Sequence, residues 1–147
     1  MSPFPHRYNV SLSHRTLSAP PREPIAVGPP PQFGGNDRDW SPEELLVGAT
    51  LECLWTTFEA LARRQGLNIG DWAGTGVATL DRGAPLPTFT SIALTVELEV
   101  GAGDEERARA VLDKAERGCI ISNALKVPVT LVATVVSTPA VSSRSVS

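Results

Sequence analysis

Cys53 and Cys119 are the only two cysteines of the chain, and no other pair of its side chains offers comparable chemistry. A thiol that ionises becomes a nucleophile, a metal ligand or one half of a disulfide. Cys53 lies inside the helix-like run Ser41-Pro-Glu-Glu-Leu-Leu-Val-Gly-Ala-Thr-Leu-Glu-Cys53. Cys119 follows the helix-like run Glu105–Gly118 and opens Cys119-Ile-Ile-Ser-Asn-Ala-Leu125. A metal site is poorly supported, because His6 and His14 lie far from both cysteines in sequence and no Cys-x-x-Cys occurs. A structural bridge is uncommon in a reducing compartment. The two settings favour a redox couple. Against that stands the plain alternative that a cysteine on an apolar helix face is a small buried hydrophobe.

Several elements must position these thiols. Tyr8, Val10 and Leu12 alternate with polar residues over His6–Ser13, which predicts a half-buried strand. Residues 17–38 are rich in proline and read as an extended segment with room for one short strand near Ile25–Val27. Pro29-Pro-Pro31 stiffens it and Gly34-Gly35 breaks it. Ser41 then supplies an N-cap, Pro42 the first helical position and Glu44 the third member of a capping box. The predicted helix runs to Gln65, with Gly66 as its terminator. Its apolar residues Leu45, Leu46, Ala49, Cys53, Leu54, Trp55, Phe58, Leu61 and Ala62 exceed one stripe, so burial on more than one side is expected. Strands are predicted over 72–80 and 87–100, joined by Asp81-Arg-Gly-Ala-Pro85. In the second of these, Ile92, Leu94, Val96, Leu98 and Val100 share a face. A second helix carries Ala108, Val111, Leu112 and Ala115 on one stripe, which Cys119 continues. A last strand is predicted over 127–136, and 137–147 is expected to be a disordered tail.

The order of elements is that of an α+β protein, read as a single domain over 1–136. One small sheet cannot cover a helix that is apolar on several sides, so a homodimer with helices at its interface is expected. The chain has 147 residues, 41% hydrophobic and 20% charged, with net charge −3. That acidic balance argues against nucleic acid and against an anionic membrane surface. No apolar run approaches the roughly 20 residues of a membrane span, and Met1-Ser-Pro-Phe-Pro-His lacks the layout of a signal peptide. The expected location is therefore the cytoplasm.

Four segments, in this order and spacing, resemble the OsmC/Ohr family of thiol peroxidases. They are Pro-Gln-Phe-Gly-Gly at 31–35, Ser-Pro-Glu-Glu-Leu-Leu at 41–46 with Cys53 ten residues beyond Glu43, the strand carrying Phe89-Thr-Ser-Ile, and Lys114-Ala-Glu-Arg-Gly-Cys-Ile-Ile-Ser-Asn-Ala-Leu at 114–125. The resemblance covers about residues 6–136. It implies an intertwined homodimer in which small antiparallel sheets pack on long central helices. It also implies a cysteine-dependent peroxidase acting on organic hydroperoxides. Cys53 would attack the peroxide, and Cys119 would resolve the sulfenic acid as a Cys53–Cys119 disulfide. An arginine held by Glu43 would activate the thiolate, with no metal, flavin or haem. The reductant would be an external dithiol, such as a lipoylated protein.

Glu43 and Cys53 stand about 15 Å apart along a straight helix, so the glutamate acts only through a long partner. Arg15 is the expected arginine, with Arg22 and Arg38 as competitors. Glu43 is equally well explained as a first-turn acid. Two positions depart from the family pattern: Ile120 stands where many relatives have proline, and Glu52 where small residues are common. The aliphatic setting of Leu45, Leu46, Trp55, Phe58 and Ile120 favours organic peroxides over hydrogen peroxide. Two further readings remain: a protein that holds a small apolar ligand without catalysis, and a redox sensor using the same disulfide.

Overall fold

The computed structural model describes residues 3–139, which divide into two compact units meeting between Leu46 and Val47. The first unit contains a three-stranded antiparallel sheet of β1 (Ser11–Ser13), β2 (Thr16–Ser18) and β3 (Ile25–Ala26), in that order. The predicted strand over His6–Ser13 is thus confined to its last three residues, and Leu12 and Tyr8 are exposed. Alternation alone could not reveal that residues 16–18 turn back on β1. That reversal needs the left-handed backbone of His14, at φ 52°, a conformation histidine tolerates better than most residues.

The glycines and prolines of 29–35 make a tight corner. Pro31–Phe33 forms a single 3₁₀ turn ended by Gly34 at φ 79°. Gly35 then passes so close to the Pro29 carbonyl that any Cβ would collide with it. Beyond the corner, Val27 and Trp40 form an isolated parallel bridge.

Helix α1 (Pro42–Arg64) starts as the residues dictate. The Ser41 amide donates to Glu44 Oε2 at 3.0 Å, and the Glu44 amide donates to Ser41 Oγ at 3.1 Å. This reciprocal pair satisfies donors that a helix start leaves free. Gly66 ends the helix at φ 65°.

The second unit packs α1 and α2 (Glu105–Arg117) with a sheet ordered β4 (Ile69–Asp81), β5 (Thr88–Gly101), β6 (Val129–Thr138). β4 and β5 pair antiparallel, whereas β6 pairs with β5 in parallel. The parallel pairing follows from connectivity: β6 returns after α2 and α3 (Ile120–Ala124), a crossover rather than a hairpin. Ser137 and Thr138 end β6, so the strand extends two residues into the expected tail. Positions 140–147 lie outside the described residues.

The core lies where the alternation of β5 placed it. Ile92, Leu94, Val96, Leu98 and Val100 are buried, as are Ala108, Val111, Leu112 and Ala115 of α2. Each large side chain of this set stabilises the unit by about 1.5–3 kcal/mol. On α1 the buried stripe is Thr50, Leu54, Phe58 and Ala62, narrower than its composition suggests. Leu61 is half-buried and Ala49 exposed. Gly74 and Gly76 of β4 leave room for Leu51 and Val47 of the helix. Phe58 stacks near Trp72 of β4, with ring centroids 5.9 Å apart, and Trp55 lies 4.3 Å from the same ring.

One expectation about membranes needs correcting. By length and composition α1 is apolar enough to cross a bilayer. Its Thr50–Leu54–Phe58–Ala62 stripe belongs to the core of the second unit, while most of the helix's apolar window lies outside that core.

Candidate active site

Two helices of the second unit converge on the thiols. Cys53 sits on α1 immediately before the buried Leu54, and its side chain is half-buried. Cys119 continues the buried stripe of α2 and is 1% exposed. α2 ends at Gly118, whose amide donates to the Lys114 carbonyl at 3.0 Å. The chain then turns at Cys119, which is the N-cap of α3 with φ −67° and ψ 114°. Its sulfur accepts the Ser122 amide at 3.5 Å. Asn123 locks this turn by donating Nδ2 to the Cys119 carbonyl at 2.8 Å and to the Arg117 carbonyl at 2.9 Å.

Both thiols are free, and they lie close enough for each to influence the other's protonation. The sequence proposed the pair but had no means to bring 53 and 119 together. The fold does so within one unit, where α1 lies on β4 and α2 on β5 and β6.

Their protonation is unequal. Burial pushes the Cys53 thiol up, and the neighbouring Cys119 sulfur adds to the rise; the amides of Ile121 and Ile120 oppose it. For Cys119 burial also raises, but the hydroxyl and amide of Ser122, the Cys53 S–H and the Ile121 amide outweigh it, so its thiol is held low. Of the two thiols, Cys119 is the one whose surroundings favour ionisation. A neighbouring positive charge would favour the ionised form of Cys53.

The remaining candidates belong to the first unit. Glu43 is half-buried, and its Oε2 is buried without a hydrogen-bond partner among the described residues. A carboxylate oxygen left this way calls for a donor. Arg15 is exposed at the β1–β2 turn. Its guanidinium lies near Gly28 on the same side as the Asp39 carboxylate, 4.0 Å and 3.5 Å respectively from the Cβ position of that glycine. Arg15 and Glu43 form no ion pair among the described residues. Arg22 donates to the Ala19 carbonyl at 3.5 Å, and the Arg38 side chain is exposed. The structure thus brings Cys53 near Cys119, and among the described residues Glu43 and Arg15 form no ion pair with each other.

Of the other apolar residues considered for the site, Phe58 is fully buried, whereas Ile120 is 77% exposed beside Cys119. Glu52 is exposed. Sequence reasoning missed Ser122 and Asn123. The signal was present as Cys119-Ile-Ile-Ser122, a capping residue followed three positions later by a side chain that can reach back. Among the described residues, no group of three His, Cys, Asp or Glu side chains is placed to hold a metal ion.

Comparison with known proteins agrees with this fold. The model of the OsmC-like protein family matches residues 34–133. No curated protein matches. An OsmC-like protein of Mycoplasma pneumoniae superposes with a TM-score of 0.76 at 14% identity, over 90% of this chain and 99% of that one. The organic hydroperoxide resistance protein OsmC of Legionella pneumophila superposes at 0.65 with 18% identity, over 92% and 98%. An organic hydroperoxide resistance protein of Elizabethkingia anophelis gives 0.69 at 17% identity, over 92% and 100%. At these identities the superpositions speak for the fold, and the family match spans both the corner at Gly34-Gly35 and the cysteine pair. The chain is a member of the OsmC-like protein family.

Proposed function

We propose that this protein is a thiol peroxidase that reduces organic hydroperoxides. The observation that carries the proposal is the placement of two free thiols, one on α1 and one at the start of α3, close enough to influence each other's protonation. The names of the Legionella and Elizabethkingia neighbours support the choice of peroxide as oxidant.

The Cys53 thiolate attacks the terminal oxygen of the hydroperoxide. The O–O bond breaks, the alkoxide takes a proton and leaves as alcohol, and Cys53 becomes a sulfenic acid. Cys119 then attacks that sulfur, expelling water and forming the disulfide, which an external dithiol reduces. A lipoylated protein or a small dithiol suits that last step. Arg15 supplies a positive charge that favours the Cys53 thiolate, and Glu43 holds Arg15 in place. A guanidinium there also stabilises the departing alkoxide. The described residues act as one domain in a cytoplasmic homodimer, with organic peroxides preferred because Ile120 presents an apolar surface beside the pair.

A second reading is favoured by the elevated Cys53 thiol: a redox sensor whose slowly formed disulfide alters a partner contact. Turnover separates the two. Reduced protein with an alkyl hydroperoxide and a dithiol should consume peroxide, and Cys53→Ser should abolish consumption. Peroxide consumption absent in the wild type, with Cys53 shown to be reduced, rejects the peroxidase.

A further inference from the structure

Asn123 is tied to Cys119 by its side chain as well as by its backbone. Its Nδ2 donates to the Arg117 carbonyl at 2.9 Å and to the Cys119 carbonyl at 2.8 Å, and its amide donates to the same Cys119 oxygen at 3.1 Å. Arg117 is the last residue of α2, where a helix leaves its carbonyls without intrahelical partners. Cys119 is the N-cap of α3. One side chain therefore bridges the end of one helix and the start of the next, across the residue that carries the thiol. Both of its partners are carbonyls, so it must donate twice, as the NH₂ of a side-chain amide does. Cys119 itself has φ −67° and ψ 114°, extended backbone between two helices, so neither helix sets its direction alone. A disulfide tolerates little error in that direction: the sulfurs must close to about 2.05 Å with the Cβ atoms about 3.5–4.5 Å apart. A turn free to swing would hold its sulfur outside that range most of the time.

We infer that Asn123 is a positioning residue for the resolving step: its side-chain amide staples α2 to α3 and so keeps Cys119 aimed at Cys53. The inference rests on the peroxidase reading above and deepens it. In this step the Cys119 thiolate attacks the sulfur of Cys53–SOH. The S–S bond forms and the S–O bond breaks. Hydroxide leaves and takes a proton from solvent to become water. Cys119 is oxidised and the sulfenic sulfur reduced to the disulfide level. A fixed turn raises the effective concentration of Cys119 at that sulfur. When resolution is slow, the sulfenic acid survives to meet a second peroxide and becomes sulfinic acid. Asn123 therefore protects Cys53 through the geometry of Cys119 and touches no substrate.

Two measurements on Asn123→Ala and Asn123→Asp test this. Alanine removes the side-chain donor, and aspartate keeps the shape but brings a carboxylate that only accepts. The first equilibrates the protein with reduced and oxidised glutathione, without peroxide. One glutathione disulfide and the two protein thiols give the Cys53–Cys119 disulfide and two glutathione thiols, so the equilibrium constant reads how well the thiols are aligned. Both variants should lower it about five- to tenfold, the effect of one net hydrogen bond in the turn. The second exposes the reduced protein to an alkyl hydroperoxide without reductant and weighs the products by mass spectrometry. Both variants should show several-fold more Cys53 sulfinic acid and less disulfide than wild type. Urea unfolding of the reduced proteins is measured alongside. A lower urea midpoint with an unchanged glutathione constant and an unchanged sulfinic fraction reduces Asn123 to a stabilising contact and overturns the inference. Wild-type behaviour of Asn123→Asp overturns it too, since a carboxylate cannot make these two bonds. A wild type that forms the disulfide with glutathione but leaves peroxide unconsumed overturns the peroxidase reading, and the glutathione constants of the variants then still decide whether Asn123 aims Cys119.

Discussion

At the scale of single residues, the pair is asymmetric. Cys119 collects donors from Ser122 and Ile121, whereas Cys53 is raised by burial and by the neighbouring sulfur. A thiol raised this way is less ionised at neutral pH than a free cysteine, and its thiolate appears only as pH climbs. On the proposed reading, Arg15 would supply a charge that opposes this rise, with Glu43, whose Oε2 is buried without a partner among the described residues, holding it. An opposite charge within reach lowers a thiol by about one to three units. Arg15→Met should therefore cut kcat/KM for an alkyl hydroperoxide about tenfold or more at neutral pH. The loss should shrink as pH rises, because hydroxide then ionises Cys53 without help. Stopped-flow kinetics across pH reads this directly, and a profile superimposable on wild type would move the activating role to Arg22 or Arg38. The cysteines stood out in the sequence by their settings, whereas Glu43, explained by its place in the first turn, became a candidate only through the family resemblance. Ser122 was not singled out, because a serine three positions after a cysteine becomes a donor only once α3 forms.

At the scale of elements, the placement of Cys53 depends on how closely α1 lies on β4. Gly76 sets that approach: an added Cβ would stand 2.6 Å from Val47 Cγ1 and 3.2 Å from Leu94 Cδ2. Gly76→Ala forces those side chains apart, and overpacking of this kind costs about 1–3 kcal/mol. Thermal or urea unfolding should show that loss. Ser41→Ala makes a contrasting test. It removes the oxygen that accepts the Glu44 amide and should cost about 1 kcal/mol with little effect on the cysteines. The capping box, the terminating Gly66 and the buried face of β5 were all readable, because each is a local pattern obeying one period or one cap. The β1–β2 reversal and the parallel entry of β6 were not. The first turns on the left-handed backbone of His14, and the second is a contact between segments 37 residues apart in register, Ile92 with Val129. Neither leaves a local signature in composition.

At the scale of the whole molecule, the question is what lies against the rest of α1. Gly48, Ala49, Glu52, Thr56 and Ala60 are exposed, and only 22% of the helix's apolar window is buried within the chain. A helix this apolar needs a cover. A bilayer is a poor one, since Glu52 lies on that exposed side and a carboxylate at mid-membrane costs about 2.5–3.5 kcal/mol. A second copy of the chain suits the small side chains at 48, 49 and 60, which let two backbones approach closely. The two substitutions at Gly48 separate the alternatives. Nothing lies within 4 Å of a Cβ added there. In a free helix, alanine should then stabilise the chain by about 1 kcal/mol through helix propensity alone. Gly48→Arg should be tolerated by the fold of the single chain but should split a dimer packed on this face. Sedimentation equilibrium should find wild type dimeric and Gly48→Arg monomeric, with unchanged circular dichroism. A wild type that sediments as a monomer rejects the dimer. A Gly48→Arg protein that remains dimeric places the contact on another surface.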